Sequence, residues 1–298
     1  MKRVNVLMST YNGERFLHQQ IESILRQDEV DVVLTVRDDG STDKTCAILD
    51  EYQAQGLLTW YSGDNIGPAR SFMQLLKNAD EADYYAFADQ DDFWKPKKLF
   101  AAITQLEKTQ NKSALYFSPT APANSDLQPL PRKEITPLLT FGESLIYEFV
   151  SGCTMVFTHE LRQIMNTYSP SYLPMHDVWI YSVAQAIGAS IVYDPLPYIL
   201  YRQHANNVIG TNESVRQSWI NRWKRFFSSE QSRSKRAQEI QKGFAPLLPQ
   251  QNQQLLKNFV KGKHNLLTRI ALLRDKHLKC GNKPTERLFR ISLILNKY

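Results

Sequence analysis

Residues 84–92 read YYAFADQDD, an apolar run of strand length that stops at three carboxylates and a glutamine. Two earlier runs end in the same way, because VNVLM at 4–8 precedes STYNGE and VVLTV at 32–36 precedes RDDGSTD. Apolar residues recur at helical spacing over 14–27 and again after Ser41, which is placed to cap a second helix. This alternation of buried strands and amphipathic helices predicts an α/β sandwich around a mostly parallel sheet.

Strand and helix signals extend along about two thirds of the chain. They fill residues 1–118, give way to a proline-rich loop over 119–140, and resume over 141–210, where a late strand is expected at 198–202. We therefore predict one sheet system in this part of the chain. The remainder, 211–298, is rich in Gln, Lys and Arg and is expected to form a helical C-terminal extension.

Charge is distributed unevenly between these two parts. The formal net charge is +6, but residues 1–210 hold 17 basic and 25 acidic side chains, whereas residues 211–298 hold 19 and 5. An aromatic cluster in the basic part, spaced for one helical face, consists of Trp219, Trp223, Phe226 and Phe227. The combination favours a surface helix attracted to anionic lipid headgroups. Nucleic-acid binding is the rival interpretation, without a supporting motif. A helical face packed against the rest of the chain is the third.

The cysteines and the apolar segments bear on the compartment. Cys46, Cys153 and Cys280 are odd in number and far apart, so neither a disulfide framework nor a paired-cysteine zinc site is supported. The apolar run after the N-terminus is too short for a signal peptide, and no run approaches the roughly 18 to 20 apolar residues that cross a bilayer. We predict a protein of the reducing cytoplasm.

Three polar loops follow the predicted strands, at residues 9–14, 38–43 and 89–92. Because ligands in open α/β sheets bind at the carboxyl ends of the strands, we expect these loops to form one crevice. Carboxylates crowded in this way repel one another unless a cation or ligand compensates them. In the alternative interpretation, each carboxylate belongs to a separate solvated turn or helix cap.

The order of these segments is more informative than any one of them. VNVLMSTYNGE (4–14), VRDDGSTD (36–43), NIG (65–67), DQDDFW (89–94) and HDVW (176–179) together resemble the inverting nucleotide-sugar glycosyltransferases of family 2. The resemblance covers residues 1–210 and implies the GT-A fold, an α/β/α sandwich. The combination of DQDDFW and HDVW with YRQH at 201–204 resembles most the bacterial rhamnosyltransferases that assemble surface polysaccharides. A catalytic domain over 1–210 is implied, with a nucleotide-binding part (1–118) and an acceptor-binding part (141–210).

The resemblance assigns the donor side of the site. It implies that Thr10, Tyr11 and Glu14 line the nucleotide pocket and that Asp39 accepts a hydrogen bond from the pyrimidine N3–H. Arg70 would lie beside the base, although a surface ion pair is the alternative for that side chain. An ionised carboxylate only accepts hydrogen bonds, so it distinguishes uracil or thymine from cytosine.

The DQD sequence matches the family's DXD element. The resemblance implies that Asp89 and Gln90 contact the nucleotide-sugar and that Asp91 ligates a divalent cation on the diphosphate. Hard oxygen ligands suit Mg²⁺ or Mn²⁺. His204 is a candidate for a further metal ligand, with a purely structural histidine as the alternative. For Asp92 the interpretations are a site residue or a cap of the following turn.

The acceptor side is expected in the second half of the domain. An inverting transfer needs a base that removes the proton of the acceptor hydroxyl, and Asp177 is the candidate, with a helix N-cap as its alternative role. Gly152, Cys153, His176 and Trp179 are implied to bind the acceptor. Cys153 is not expected to be a nucleophile, since a single displacement needs no covalent intermediate.

These assignments predict an enzyme that moves a sugar with inversion. The resemblance favours L-rhamnose from dTDP-L-rhamnose as donor and a lipid-linked or growing cell-surface glycan as acceptor. The alternatives are a family 2 transferase using a UDP-hexose or UDP-N-acetylhexosamine, and a nucleotide-sugar or polyanion-binding protein without turnover. The expected location is the cytoplasmic face of the inner membrane, held peripherally by the basic C-terminal region, with no nucleic-acid partner.

Overall fold

A computed structural model describes residues 1–132, 134–203 and 233–298. The strands are β1 (Lys2–Thr10), β2 (Val30–Asp38), β3 (Thr59–Ser62), β4 (Tyr84–Ala88), β5 (Phe93–Trp94), β6 (Ala114–Phe117), β7 (Ala121–Ala123), β8 (Val156–Thr158), β9 (Ser190–Tyr193) and β10 (Ile199–Arg202). Helices between them are α1 (Leu17–Leu25), α2 (Thr45–Ala54), α3 (Pro68–Asn78), α4 (Lys98–Leu106), α5 (Phe141–Ile146), α6 (His159–Met165) and α7 (His176–Ala186). The C-terminal helices are α8 (Arg233–Phe244), α9 (Gln250–Gly262), α10 (Leu266–Leu273) and α11 (Lys283–Ile294).

The central sheet has seven strands in the order β3-β2-β1-β4-β8-β6-β9. Strand β1 pairs in parallel with both β2 and β4, and β8 runs antiparallel to both of its neighbours. The predicted mostly parallel sheet is therefore confirmed. The predicted single sheet is wrong for the late strand, because β10 pairs with β5 and β7 in a separate three-stranded sheet.

Alternation of side chains along β1 explains the layered architecture. Leu7 belongs to one buried hydrophobic cluster, whereas Val6 and Met8 belong to another on the opposite face. Helix α1 covers the second face with Leu17 and Ile21, both fully buried. Burial of an aliphatic side chain of this size contributes about 1.5–3 kcal/mol, which stabilises the packing of α1 on the sheet.

The described C-terminal helices share the first of these clusters. Phe244 of α8 and Phe259 of α9 are fully buried in the same core as Phe87 of β4. The Arg236 guanidinium adds an ion pair with Glu148, at 2.7 Å. Of the three interpretations of the basic region, packing against the rest of the chain is therefore observed for residues 233–298.

The structure differs from the sequence prediction at the start of the second helix. Ser41 does not cap the second helix, because α2 begins at Thr45 and the Ser41 hydroxyl instead donates to Asp38. His204 and the aromatic cluster at 219–227 lie outside the described residues. Among the residues that the structure describes, no helix is long and apolar enough to cross a membrane.

Candidate functional site

A cavity of about 410 Å³ opens at the carboxyl ends of β1, β2 and β4. Most of the candidate site residues line this cavity. Some follow the three strands, and the others lie in the turn at 152–153 or at the start of α7. They are Thr10, Tyr11, Asp39, Asp89, Gln90, Asp91, Gly152, Cys153, His176 and Asp177. The expectation that the polar loops form one crevice is therefore confirmed.

Asp38 connects the loops after β1 and β2. Its buried carboxylate accepts hydrogen bonds from the Thr10 hydroxyl at 2.9 Å and from the backbone N–H groups of Gly40 and Ser41 at 3.1 and 2.8 Å. Asn12, in the left-handed region at φ 48°, accepts a hydrogen bond from the Thr42 N–H across the two loops. These hydrogen bonds join the loop after β1 to the loop after β2.

Asp39 lies at the cavity wall and is almost fully buried. Its carboxylate accepts hydrogen bonds from the backbone N–H groups of Ile66 and Gly67, both at 2.9 Å, and pairs with Arg37 at 2.5 Å. The same Arg37 guanidinium donates to the Gln74 side chain. Arg37 thus compensates the buried charge of Asp39 and holds the orientation of its carboxylate.

Gln90 joins the first loop to the DXD element. Its side-chain oxygen accepts a hydrogen bond from the Tyr11 N–H at 2.8 Å, and its amide donates to the Tyr11 carbonyl at 3.0 Å. A Cβ at Gly13 would lie 2.3 Å from the Gln90 oxygen, so only glycine leaves room for this pairing. The middle residue of the element therefore positions the loop that carries Tyr11.

The carboxylates beyond β4 are crowded. Burial raises the pKa of Asp89, and the neighbouring charges of Asp91 and Asp177 raise it further. Asp92 is fully buried beside the Cys153 thiol and the Arg202 backbone, and its carboxylate accepts no hydrogen bond from the turn that follows it, so it does not cap that turn. Ligand atoms of Asp89, Asp92 and Cys153 lie within 4.8 Å of one another. Repulsion of this kind is relieved when a cation binds.

Asp177 is the second residue of α7 and lines the same cavity. Its carboxylate accepts hydrogen bonds from the Gly152 N–H at 3.1 Å and from the Val178 N–H at 2.7 Å. The N-cap position belongs to Met175, so the alternative of Asp177 as the helix N-cap is wrong. Burial raises the pKa of Asp177 to about 6. This carboxyl therefore changes charge near neutral pH.

The His176 side chain is buried next to Asp177 and packs against Phe72. Its ring stacks on Phe72 with centroids 4.0 Å apart, and neither ring nitrogen has a hydrogen-bond partner among the described residues. Burial lowers the pKa of His176 to about 3, so the ring is neutral. A Cβ at Gly152 would lie 2.3 Å from Nε2 of this histidine. Glycine at 152 therefore allows the backbone to approach the ring.

Other candidate residues lie away from the cavity lining. Trp179 is fully buried in the core beside Phe244, which corrects the predicted acceptor contact. Glu14 accepts a hydrogen bond from the Lys44 N–H, and Arg70 is exposed on α3. The nucleotide contacts predicted for these last two side chains stay predictions.

Cys153 and Trp94 are two buried residues near the carboxylates that follow β4. Burial and the nearby carboxylates of Asp92 and Asp89 raise the pKa of the Cys153 thiol, which keeps it protonated and unsuited to act as a nucleophile. Trp94 is buried in the core, and the ammonium of Lys98 lies 3.5 Å from its ring centroid.

Sequence reasoning missed Phe72, Tyr201 and the ion pair of Arg37. Phe72 and Tyr201 line the cavity, and the apolar face of α3 was the available signal for Phe72. Arg37 stands beside Asp39 in the quoted RDDGSTD segment, where its burial could not be foreseen from the sequence.

The fold and this cleft define an α/β transferase of the GT-A type. Residues 1–349 of S. aureus TarS in complex with UDP have the same fold, with a TM-score of 0.54, 21% identity and coverage of 100% of this chain and 93% of that chain. Mannosyltransferase PcManGT from Pyrobaculum calidifontis, in complex with GDP-Man and Mn²⁺, gives a TM-score of 0.54 at 17% identity, covering 100% and 81%.

Sequence comparison identifies the family. The model of Glycosyl transferase family 2 matches residues 5–170. The dTDP-rhamnosyl transferase RfbG of Shigella flexneri is 32% identical over 231 residues, which cover 71% of this chain and 76% of that protein. An uncharacterized glycosyltransferase of Rickettsia typhi is 24% identical, covering 59% and 57%. The chain belongs to family 2 and is a glycosyltransferase, as its motifs predicted.

Proposed function

We propose that this enzyme transfers L-rhamnose from dTDP-L-rhamnose, with inversion, to a lipid-linked or growing cell-surface glycan. The observation that carries the proposal is one cavity lined both by the DXD carboxylates Asp89 and Asp91 and by Asp177, whose pKa is raised. Similarity to a dTDP-rhamnosyl transferase supports rhamnose as the sugar. A UDP-hexose or UDP-N-acetylhexosamine is the second candidate donor, because TarS shares the fold and was solved with UDP-GlcNAc.

The donor nucleotide is proposed to lie against Thr10, Tyr11 and Asp39. The Asp39 carboxylate already accepts two backbone N–H groups and the Arg37 guanidinium, so it is oriented before the base binds. Its remaining acceptor capacity matches the N3–H of thymine or uracil. Asp89 and Gln90 are proposed to contact the sugar part of the nucleotide.

A divalent cation fits the residues present. Asp91 would hold it, since it lines the cavity beside Asp89, whose pKa is raised by burial and then by the charges of Asp91 and Asp177. Carboxylate oxygens suit Mg²⁺ or Mn²⁺, and His204 is proposed as a further ligand. When bound, such a cation neutralises charge on the departing nucleoside diphosphate.

Asp177 is proposed to be the general base. Its carboxylate would accept the proton of the acceptor hydroxyl while that oxygen attacks the anomeric carbon from the face opposite the nucleoside diphosphate. Hydrogen bonds from Gly152 and Val178 fix its orientation, and the buried neutral His176 keeps the wall beneath it rigid. Gly152 and Cys153 are proposed to face the acceptor.

The remaining assignments concern the whole chain. We propose residues 1–210 as the catalytic domain, with its nucleotide-binding part at 1–118 and its acceptor-binding part at 141–210, and residues 211–298 as the basic extension. This extension is proposed to hold the enzyme peripherally on the cytoplasmic face of the inner membrane, where a lipid-linked acceptor is found. Its excess of basic side chains supports this location.

Calorimetry of the full chain with dTDP-L-rhamnose, UDP-glucose, UDP-galactose and UDP-N-acetylglucosamine, each with Mn²⁺ and then with excess chelator, tests the donor. We expect metal-dependent binding that favours dTDP-L-rhamnose. Preference for a UDP-sugar would overturn rhamnose and leave transfer in place. Absence of binding by all four donors would contradict the proposed function.

A further inference from the structure

The last two helices expose aliphatic side chains that most helices bury. On α10, Leu266, Leu267 and Ile270 have 61%, 78% and 42% of their surface exposed. At the end of α11, Ile291, Ile294 and the following Leu295 have 40%, 63% and 51% exposed. We call these six residues the aliphatic ridge.

Hydrogen bonds on either side of α10 join it to the C-terminal part of α11 and to the residue Asn296 that follows it. Before α10, the Lys263 ammonium donates to the Asn296 carbonyl at 2.7 Å, and the Asn296 amide donates back to the Lys263 carbonyl at 3.2 Å. At the other end, the Arg290 guanidinium donates to the Leu273 carbonyl. The start of α10 therefore lies beside the end of α11, which brings the two halves of the ridge together.

The ridge lies in a strongly basic part of the chain. Residues 250–298 contain eleven Lys and Arg side chains but only Asp275 and Glu286 as acidic ones. Glu286 pairs with Arg290 at 2.9 Å. Exposed Lys283 and Arg287 lie on the same face of α11 as Ile291, since successive members of this set are four positions apart.

We propose that the aliphatic ridge docks the enzyme on an anionic lipid bilayer, with its aliphatic side chains in the interface and the surrounding Lys and Arg side chains on the headgroups. This inference rests on the proposed function and names the surface that its membrane association uses. Exposed aliphatic residues flanked by basic ones match the chemistry of such a bilayer. A second copy of the chain is disfavoured as the occupant, because two equally basic surfaces would face each other.

Vesicle sedimentation of the full chain tests the ridge. We expect wild type to bind phosphatidylcholine vesicles containing about 30% phosphatidylglycerol and to bind pure phosphatidylcholine far less, since anionic headgroups supply the attraction. The double variant Leu267→Ser with Ile270→Ser should bind the anionic vesicles about tenfold more weakly. A matched control is Leu196→Ser, which removes a leucine with 58% exposure elsewhere and should change nothing.

Charge reversal supplies a second variant. Lys283→Glu with Arg287→Glu should weaken vesicle binding without altering the exposed leucines. Unchanged vesicle binding by both double variants would overturn the proposal. It would also be overturned if light scattering showed that wild type forms a concentration-dependent dimer and that the Leu267→Ser and Ile270→Ser changes abolish this dimer. Donor binding without vesicles is measured on every variant. It should be unchanged, so failure of the ridge and failure of the proposed donor chemistry are distinguishable.

Discussion

At the residue scale, the site depends on carboxylates held in different environments. Asp39 is compensated by Arg37, whereas Asp89 has Asp91 and Asp177 as charged neighbours that raise its pKa. Asp177 is held by two backbone N–H groups at a buried position. These three environments underlie the three roles proposed above, which are recognition of a base, binding of a cation and acceptance of a proton.

Replacing the proposed base should strongly reduce turnover without changing donor binding. For Asp177→Asn we expect turnover of the preferred donor to fall by about 10²–10⁴-fold, the usual contribution of a general base. Binding of that donor, measured by calorimetry, should be unchanged. Glu51→Gln, at an exposed position on α2, is the control. Full activity of Asp177→Asn would remove the base assignment.

The same carboxyl predicts the pH dependence. Because burial raises the pKa of Asp177 to about 6, the side chain is protonated below that pH and cannot accept a proton. We therefore expect kcat/KM to rise as pH increases through about 6 and to level off above it. A profile that falls over this range would show that a protonated group is required instead.

Asp39 predicts base selectivity. Asp39→Asn replaces one carboxylate oxygen with an amide that donates a hydrogen bond, so it should weaken binding of dTDP by about 10-fold or more. Competition calorimetry should show a smaller loss for CDP, which lacks the N3–H. Equal losses for both nucleotides would indicate that Asp39 maintains the loop and does not read the base.

At the element scale, the acceptor wall depends on the close approach of the turn at Gly152 to the start of α7. A methyl group at residue 152 would meet the His176 ring, which is itself stacked on Phe72 of α3. The ring would then be held between Phe72 and the added methyl group. The strain from this overpacking would reach the start of α7 and therefore Asp177.

We expect Gly152→Ala to lower the free energy of unfolding by about 1–3 kcal/mol, as overpacking of a core does. His176→Ala should make room for the methyl group, so the effects of the two substitutions should be less than additive. Urea denaturation of the single and double variants measures this coupling. Strict additivity would contradict the contact.

At the scale of the whole molecule, we expect the described C-terminal helices and the sheet to unfold as a unit, because they share one hydrophobic core. Phe244 of α8 is fully buried among residues of the catalytic part. We expect Phe244→Ala to cost about 3–5 kcal/mol and to lower a single thermal transition. The exposed Leu267→Ala should change stability by less than about 0.5 kcal/mol. Two separate transitions, with only one sensitive to Phe244, would indicate independent units.

Much of the first half of the fold could be predicted, because its information is local. The runs at 4–8, 32–36 and 84–88 became β1, β2 and β4 with the carboxylates directly after them. Parallel strands place such loops at one edge, so most of the candidate site followed from the pattern. Trp179 could not be placed in this way, since its neighbour Asp177 faces the cavity and the side chain of Trp179 points into the core.

The sequence by itself determined the α/β class, the order of the strands that carry the site, and the position of the DXD element, because hydrophobic periodicity and turn residues act over short distances. Only the tertiary structure decided that β10 leaves the main sheet, that Arg37 compensates Asp39, and that the helices after residue 233 bury their aromatic residues against the sheet. Periodicity reports which face of an element is buried. The element that covers that face is chosen by contacts between residues far apart in the chain, and no local pattern records them.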